Sequence, residues 1–133
     1  MKLFSKFIII SIFLLTAGCT SVLGVTGANE GKVVDDKWMV YNVIHPGLTI
    51  TIMEPYSAQL MRLSTVSKST PSPLKHSVVF GRKSKPHKFE IIGEYHKDLY
   101  LDGKYYGAVW YGDILIKDGV LFIDNVRAAP KNP

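Results

Sequence analysis

Hydrophobic and polar residues alternate along Leu48–Glu54, with Leu48, Ile50 and Ile52 on one face of an extended chain and Thr49, Thr51 and Met53 on the other. A period of two marks a strand with one face in a core and one in water. Trp38–Ile44 is apolar on both faces, as a strand in the middle of a sheet would be. His76–Phe80 and His87–His96 give two further strand segments.

The turns of the C-terminal half are sharper. Asp102-Gly103 and Asp118-Gly119 each stand between strand-forming residues, and Asp-Gly is a strong signal for a two-residue hairpin. The first turn predicts Leu101 opposite Lys104 and Tyr100 opposite Tyr105. The second predicts Ile116 opposite Leu121, Leu115 opposite Phe122 and Ile114 opposite Ile123. Both faces of the second hairpin are apolar, which places it inside a sheet. With a turn at Gly112, residues 87–126 read as an antiparallel meander of about five strands.

Ser57–Leu63 follows Pro55 and contains good helix formers, so helix and strand are equally compatible with it. Ser67–Pro73 is a loop by composition. The expected fold is all-β: a small antiparallel sandwich or barrel with a C-terminal meander and, at 57–63, room for one short helix. The β domain is expected over 32–127, followed by a disordered tail at 128–133.

The N-terminus has a different character. Met1–Lys6 carries two lysines and no acid, Phe7–Leu15 is a nine-residue block dominated by large apolar side chains, and Thr16, Ala17 and Gly18 are small. That order of positive, apolar and small segments is a secretory signal over 1–18. The apolar run stops well short of the roughly 20 residues that a membrane span requires. Leu15-Thr16-Ala17-Gly18-Cys19 resembles the lipobox of bacterial lipoproteins, with Thr16 where leucine is usual.

The resemblance implies cleavage between Gly18 and Cys19 and lipid on the Cys19 thiol. Two or more acyl chains anchor a protein stably where one does not. Thr20 stands where inner-membrane retention in Gram-negative cells typically uses aspartate, so the resemblance implies the outer membrane there. In a Gram-positive cell it implies the outer face of the plasma membrane. Residues 19–31, small and Gly-containing, read as a lipidated flexible tether of limited reach.

The 133-residue chain leaves room for one domain after processing. Its formal charge of +5 falls to +3 without Lys2 and Lys6, too little to identify a partner. Cys19 is the only cysteine, so the chain forms no internal disulfide.

Charge is uneven, however: Arg62, Lys68, Lys75, Arg82, Lys83, Lys85 and Lys88 fall in a stretch without an acid. Arg82, Lys83, Lys85 and Lys88 form a candidate loop for lipid phosphates or another anionic surface. Lysines that keep a hairpin tip soluble would look the same.

Tyr95, Tyr100, Tyr105, Tyr106, Trp110 and Tyr111 crowd a short stretch. Tyr100, Tyr105, Tyr106 and Trp110 are candidates for a platform on which sugar rings or a peptide stack. Their strand phases differ, so aromatic packing divided between two faces accounts for them equally well.

His45, His76, His87 and His96 have no metal-ligand spacing, and His96-Lys97-Asp98 lies at a strand end. No nucleophile elbow or phosphate loop is present. The sequence therefore predicts no catalytic residue, metal, cofactor or nucleic-acid partner. It points to an envelope-anchored binding or assembly module whose partner is lipopolysaccharide, peptidoglycan or an envelope protein. The other expectations are a protective lipoprotein that blocks a lysozyme, toxin or phage protein, and a cell-wall hydrolase.

Overall fold

Alternating burial carries through most of the long strands of residues 27–133, the part of the chain that the structure, a computed structural model, describes. The signal, the Gly18–Cys19 cleavage point and the proposed lipid site lie outside these residues.

The chain begins with β1 (Gly27–Ala28), β2 (Lys32–Val34), β3 (Trp38–His45) and β4 (Leu48–Pro55) in one sheet. It then crosses to a second sheet: β5 (Ser64–Lys68), β6 (Lys75–Arg82), β7 (Lys85–Ile92), β8 (Lys97–Leu101) and β9 (Lys104–Val109). Finally it returns to the first through β10 (Gly112–Lys117), β11 (Val120–Ile123) and β12 (Val126–Arg127). The first sheet has the order β1-β3-β4-β10-β11-β12, with β2 also on β3, and the second runs β5 to β9 in sequence.

The fold is therefore all-β, in two antiparallel-rich sheets. Every neighbouring pair is antiparallel except β4 and β10, which run parallel with Leu48 opposite Gly112 and Met53 opposite Lys117. The inward faces supply Ile50, Ile52, Ile114, Ile116 and Leu121 from one sheet and Val78, Phe80, Phe89, Ile91, Leu99 and Leu101 from the other, all essentially inaccessible. Each such side chain contributes about 1.5–3 kcal/mol by leaving water, so the core sits between the sheets.

Both Asp-Gly turns have the expected partners, Leu101 with Lys104 and Ile116 with Leu121. Asp102 and Asp118 take positive φ values of 52° and 49°, the mirror-image turn geometry that matches strand twist. The second hairpin is interior to its sheet, between β4 and β12.

The single meander over 87–126 is corrected. Pairing breaks after Val109, and Trp110–Tyr111 carry the chain from one sheet to the other. A continuous meander would have left β4 without its second partner; the crossing provides β10.

Residues 57–63 form neither of the expected elements. They turn at Ser57–Leu60, where the Leu60 amide donates to the Ser57 carbonyl at 3.2 Å, and Met61 donates to the Gly81 carbonyl at 2.8 Å. The segment spans the gap between two packed sheets, and this tertiary demand overrides its helix propensity. Trp38–Ile44 is an interior strand, but its second face is open to solvent at Asn42 and Ile44.

Both domain ends also differ from expectation. Gly27 and Ala28, read as tether, pair with Ile44 and Val43. Residues 128–133, read as a disordered tail, fold back: the Ala128 amide donates to the Leu121 carbonyl at 2.9 Å and the Lys131 amide to the Tyr105 carbonyl at 2.7 Å. These contacts satisfy edge backbone that would otherwise remain open to another chain.

Candidate functional site

Four chain segments meet at one end of the sandwich and enclose a cleft of about 450 Å³. The β3–β4 turn brings His45, Pro46 and Gly47; Leu74 precedes β6; the β7–β8 loop brings Glu94 and Tyr95; the inter-sheet crossing brings Trp110 and Tyr111. Lys97, the first residue of β8, lies among them.

Strand phase explains the position of Lys97. It shares the inward face with Leu99 and Leu101 and is only 3% exposed. Its ammonium donates to the Trp110 carbonyl at 2.6 Å and the Tyr95 carbonyl at 3.1 Å, and lies 5.6 Å from the centre of the Tyr111 ring. Burial lowers the lysine pKa, while the two carbonyls and the ring supply favourable electrostatics for the cation. The lysine thus ties the two aromatic-bearing segments together.

Gly47 makes the close approach possible. A Cβ there would come within 3.1 Å of the Lys97 Nζ and 3.2 Å of the Trp110 carbonyl oxygen, and its φ of 79° suits glycine. The rings themselves face solvent: Tyr95 is 70% exposed, Trp110 58% and Tyr111 77%. His96 meets Trp110 edge-on, with ring centres 5.9 Å apart.

Behind the cleft, the His45 and His76 rings stack 5.2 Å apart and their Nδ1 atoms approach to 3.0 Å. One Nδ1 must carry a proton and the other must be bare. Burial, then His76, then Lys97 lower the His45 pKa to about 4; burial also lowers that of His76. Both imidazoles are neutral at pH 7. The Nε2 of His76 is buried without a partner. A bare acceptor is tolerated more readily than an orphaned N–H, which favours His76 as the Nδ1 donor and places the His45 proton on Nε2.

The opposite end holds a second titratable group. His87 Nδ1 lies 2.7 Å from Asp102 Oδ2, while Asp102 Oδ1 accepts the Lys88 amide at 2.9 Å. Glu54 continues the buried face of β4, and its Oε1 has no partner. Burial raises its carboxyl pKa. Among the described residues, no group of three or more His, Cys, Asp or Glu side chains is disposed to hold a metal ion.

The proposed stacking group is dispersed. Tyr100 and Tyr105 pack on the outer face of the second sheet with their rings tilted by 45° and ring centres 5.2 Å apart, and Tyr105 Oη donates to Asp98 at 2.9 Å. That bond to a carboxylate, followed by burial, raises the Tyr105 pKa. Tyr106 packs against the core, and only Trp110 of the four reaches the cleft. Their alternate strand phases separate them.

Arg82, Lys83, Lys85 and Lys88 are exposed, but they do not form a loop. Only Lys83 lies in the turn, while Arg82 ends β6 and Lys85 and Lys88 belong to β7, and His87 turns toward Asp102.

Sequence reasoning missed His45, His76, Lys97 and Glu54 as buried polar residues. The usable signal was phase: each occupies the inward-facing register of an otherwise apolar strand face. No protein-family model, curated protein or solved structure matches the chain.

Proposed function

We propose that this chain is a lipid-anchored bacterial envelope protein, at the outer membrane of a Gram-negative host, whose non-catalytic β domain binds an envelope glycan in the cleft. The lipobox-like sequence at Leu15–Cys19 supports the anchor. The observation that carries the binding reading is the convergence of exposed Tyr95, Trp110 and Tyr111 around the braced Lys97. Aromatic rings offer apolar faces to the C–H faces of sugars, while Glu94 and His45 supply polar groups at the same opening. Lys97 holds the platform through backbone carbonyls, so little loop ordering is left to oppose binding.

Co-sedimentation with peptidoglycan sacculi and binding to purified lipopolysaccharide test this reading. Trp110→Ala combined with Tyr111→Ala should weaken binding at least about tenfold, as expected for central aromatic anchors. Absence of binding to both materials by the intact protein overturns the reading.

Neutral His45 at the cleft favours one second reading, a cell-wall hydrolase in which the Nε2–H of this imidazole donates a hydrogen bond to the group under attack. Release of soluble peptidoglycan fragments by the intact protein, abolished by His45→Gln, would select the enzyme over the binding module.

A further inference from the structure

Seven basic and no acidic side chains occupy residues 62–88, whereas the rest of the described chain has seven basic and eleven acidic ones. The domain therefore carries a +7 segment against a −4 remainder. The fold lays much of that charge along one surface. Lys68, Lys75 and Lys88 point away from the core and border a groove of about 340 Å³ with Val66, Ser77 and Val79. Arg82, Lys83 and Lys85 extend the positive charge to the tip of the same hairpin.

We infer that this outer face of β5–β7 is the surface on which the domain docks to an anionic phospholipid bilayer. Glu90 lies within it, 2.8 Å from Lys75 and 3.8 Å from Lys88. Both lysine side chains nevertheless retain about half their exposure, at 45% and 52%. Val66, 54% exposed, presents apolar surface among the lysines. Ammonium groups around an apolar floor complement phosphate headgroups above acyl chains.

Chain geometry selects a membrane as occupant; this step rests on the lipid-anchor reading. β1 lies beside β5, where Ala28, Asn29 and Glu30 share a depression with Leu63 and Thr65. Gly27 is eight residues from Cys19, a separation that even a fully extended chain bridges with at most about 28 Å. An anchor on Cys19 therefore holds the domain close to the bilayer by the edge adjoining the lysine face. Each lysine near an anionic surface contributes enough to change the ratio of docked to free domain about fivefold.

The test uses the full chain, processed and reconstituted in vesicles of phosphatidylcholine alone or with about one-third phosphatidylglycerol. An environment-sensitive thiol probe is placed at Val66→Cys, or at Thr49→Cys on the outer face of the first sheet, and brominated acyl chains serve as quencher. Quenching is expected at position 66, not 49, only in the anionic vesicles, and should fade in high salt as charge is screened. Lys68→Glu with Lys75→Glu and Lys88→Glu should abolish it.

Equal quenching at both positions, or quenching independent of lipid charge, overturns the docking surface. Ser64→Cys supplies an independent probe on the same face if Val66→Cys does not fold. The unsubstituted chain is labelled in parallel: probe uptake shows a free Cys19 and defeats the anchor reading. The Cys19→Ser/Val66→Cys chain then takes the same vesicle test, in which lack of charge-dependent quenching defeats the docking surface by itself.

Discussion

Replacing the buried His45–His76 pair by two leucines should flatten the acid side of the stability profile. His45 has a folded pKa of about 4, against an ordinary value of 6.5. Between those values the unfolded chain binds the proton and the folded chain does not, so stability falls as pH falls. His45 alone costs the fold about 1 kcal/mol between pH 7.5 and 5.5, and roughly 3 kcal/mol once the pH is below 4. His76, also lowered, adds in the same direction. Glu54 opposes both because burial raises its carboxyl; being present in both proteins, it cancels from their difference.

Both histidines must be removed together, since one left alone loses its Nδ1 partner. Urea unfolding at pH 7.5 and 5.5 measures the effect. Relative to the double variant, the natural chain should lose at least about 0.5–1 M more in midpoint on acidification. Equal pH shifts in the two proteins would refute neutral burial of the pair. Imidazole proton shifts followed by NMR would locate the discrepancy.

Three further substitutions probe the architecture. Glu54→Met removes the partnerless Oε1 and should stabilise the fold by about 1–3 kcal/mol at pH 7.5. The gain should shrink on acidification, because the raised carboxyl becomes neutral in the natural chain as well; thermal unfolding at pH 7.5 and 4.5 checks both statements. Gly93→Ala should destabilise by about 3 kcal/mol or more, since a Cβ there collides with the His96 carbonyl oxygen at φ 116°; denaturant titration measures this. Lys97→Met should cost about 2–4 kcal/mol by leaving the Tyr95 and Trp110 carbonyls without their donor. It should also speed amide exchange in residues 93–97 and 110–112.

Local chemistry was the legible part of this sequence. Asp102-Gly103 and Asp118-Gly119 specify their turns and registers through two adjacent residues, and Leu48–Glu54 displays its buried face by alternation. The split of the C-terminal strands between two sheets was not legible, because Trp110-Tyr111-Gly112 suits a turn within one sheet as well as a crossing. The segment after Pro55 was ambiguous for a related reason: its path depends on where β4 ends and β5 begins in space.

The cleft was partly visible as aromatic crowding, but strand phase divides those rings. Trp110 joins Tyr95 and Tyr111, while Tyr106 turns to the core and Tyr100 pairs with Tyr105 outside. His45 and His76 are 31 positions apart, so only the tertiary pairing brings them together.

Titration of the two tryptophan indole N–H signals with soluble peptidoglycan fragments, and separately with lipopolysaccharide core oligosaccharide, tests the glycan site most directly. Trp110 lines the cleft, whereas Trp38 lies beneath Lys117, its ring centre 4.9 Å from the lysine Nζ. The account predicts a saturable shift of the Trp110 signal with at least one glycan while the Trp38 signal stays fixed. Two unmoved signals with both glycans, or a shift confined to Trp38, would contradict it.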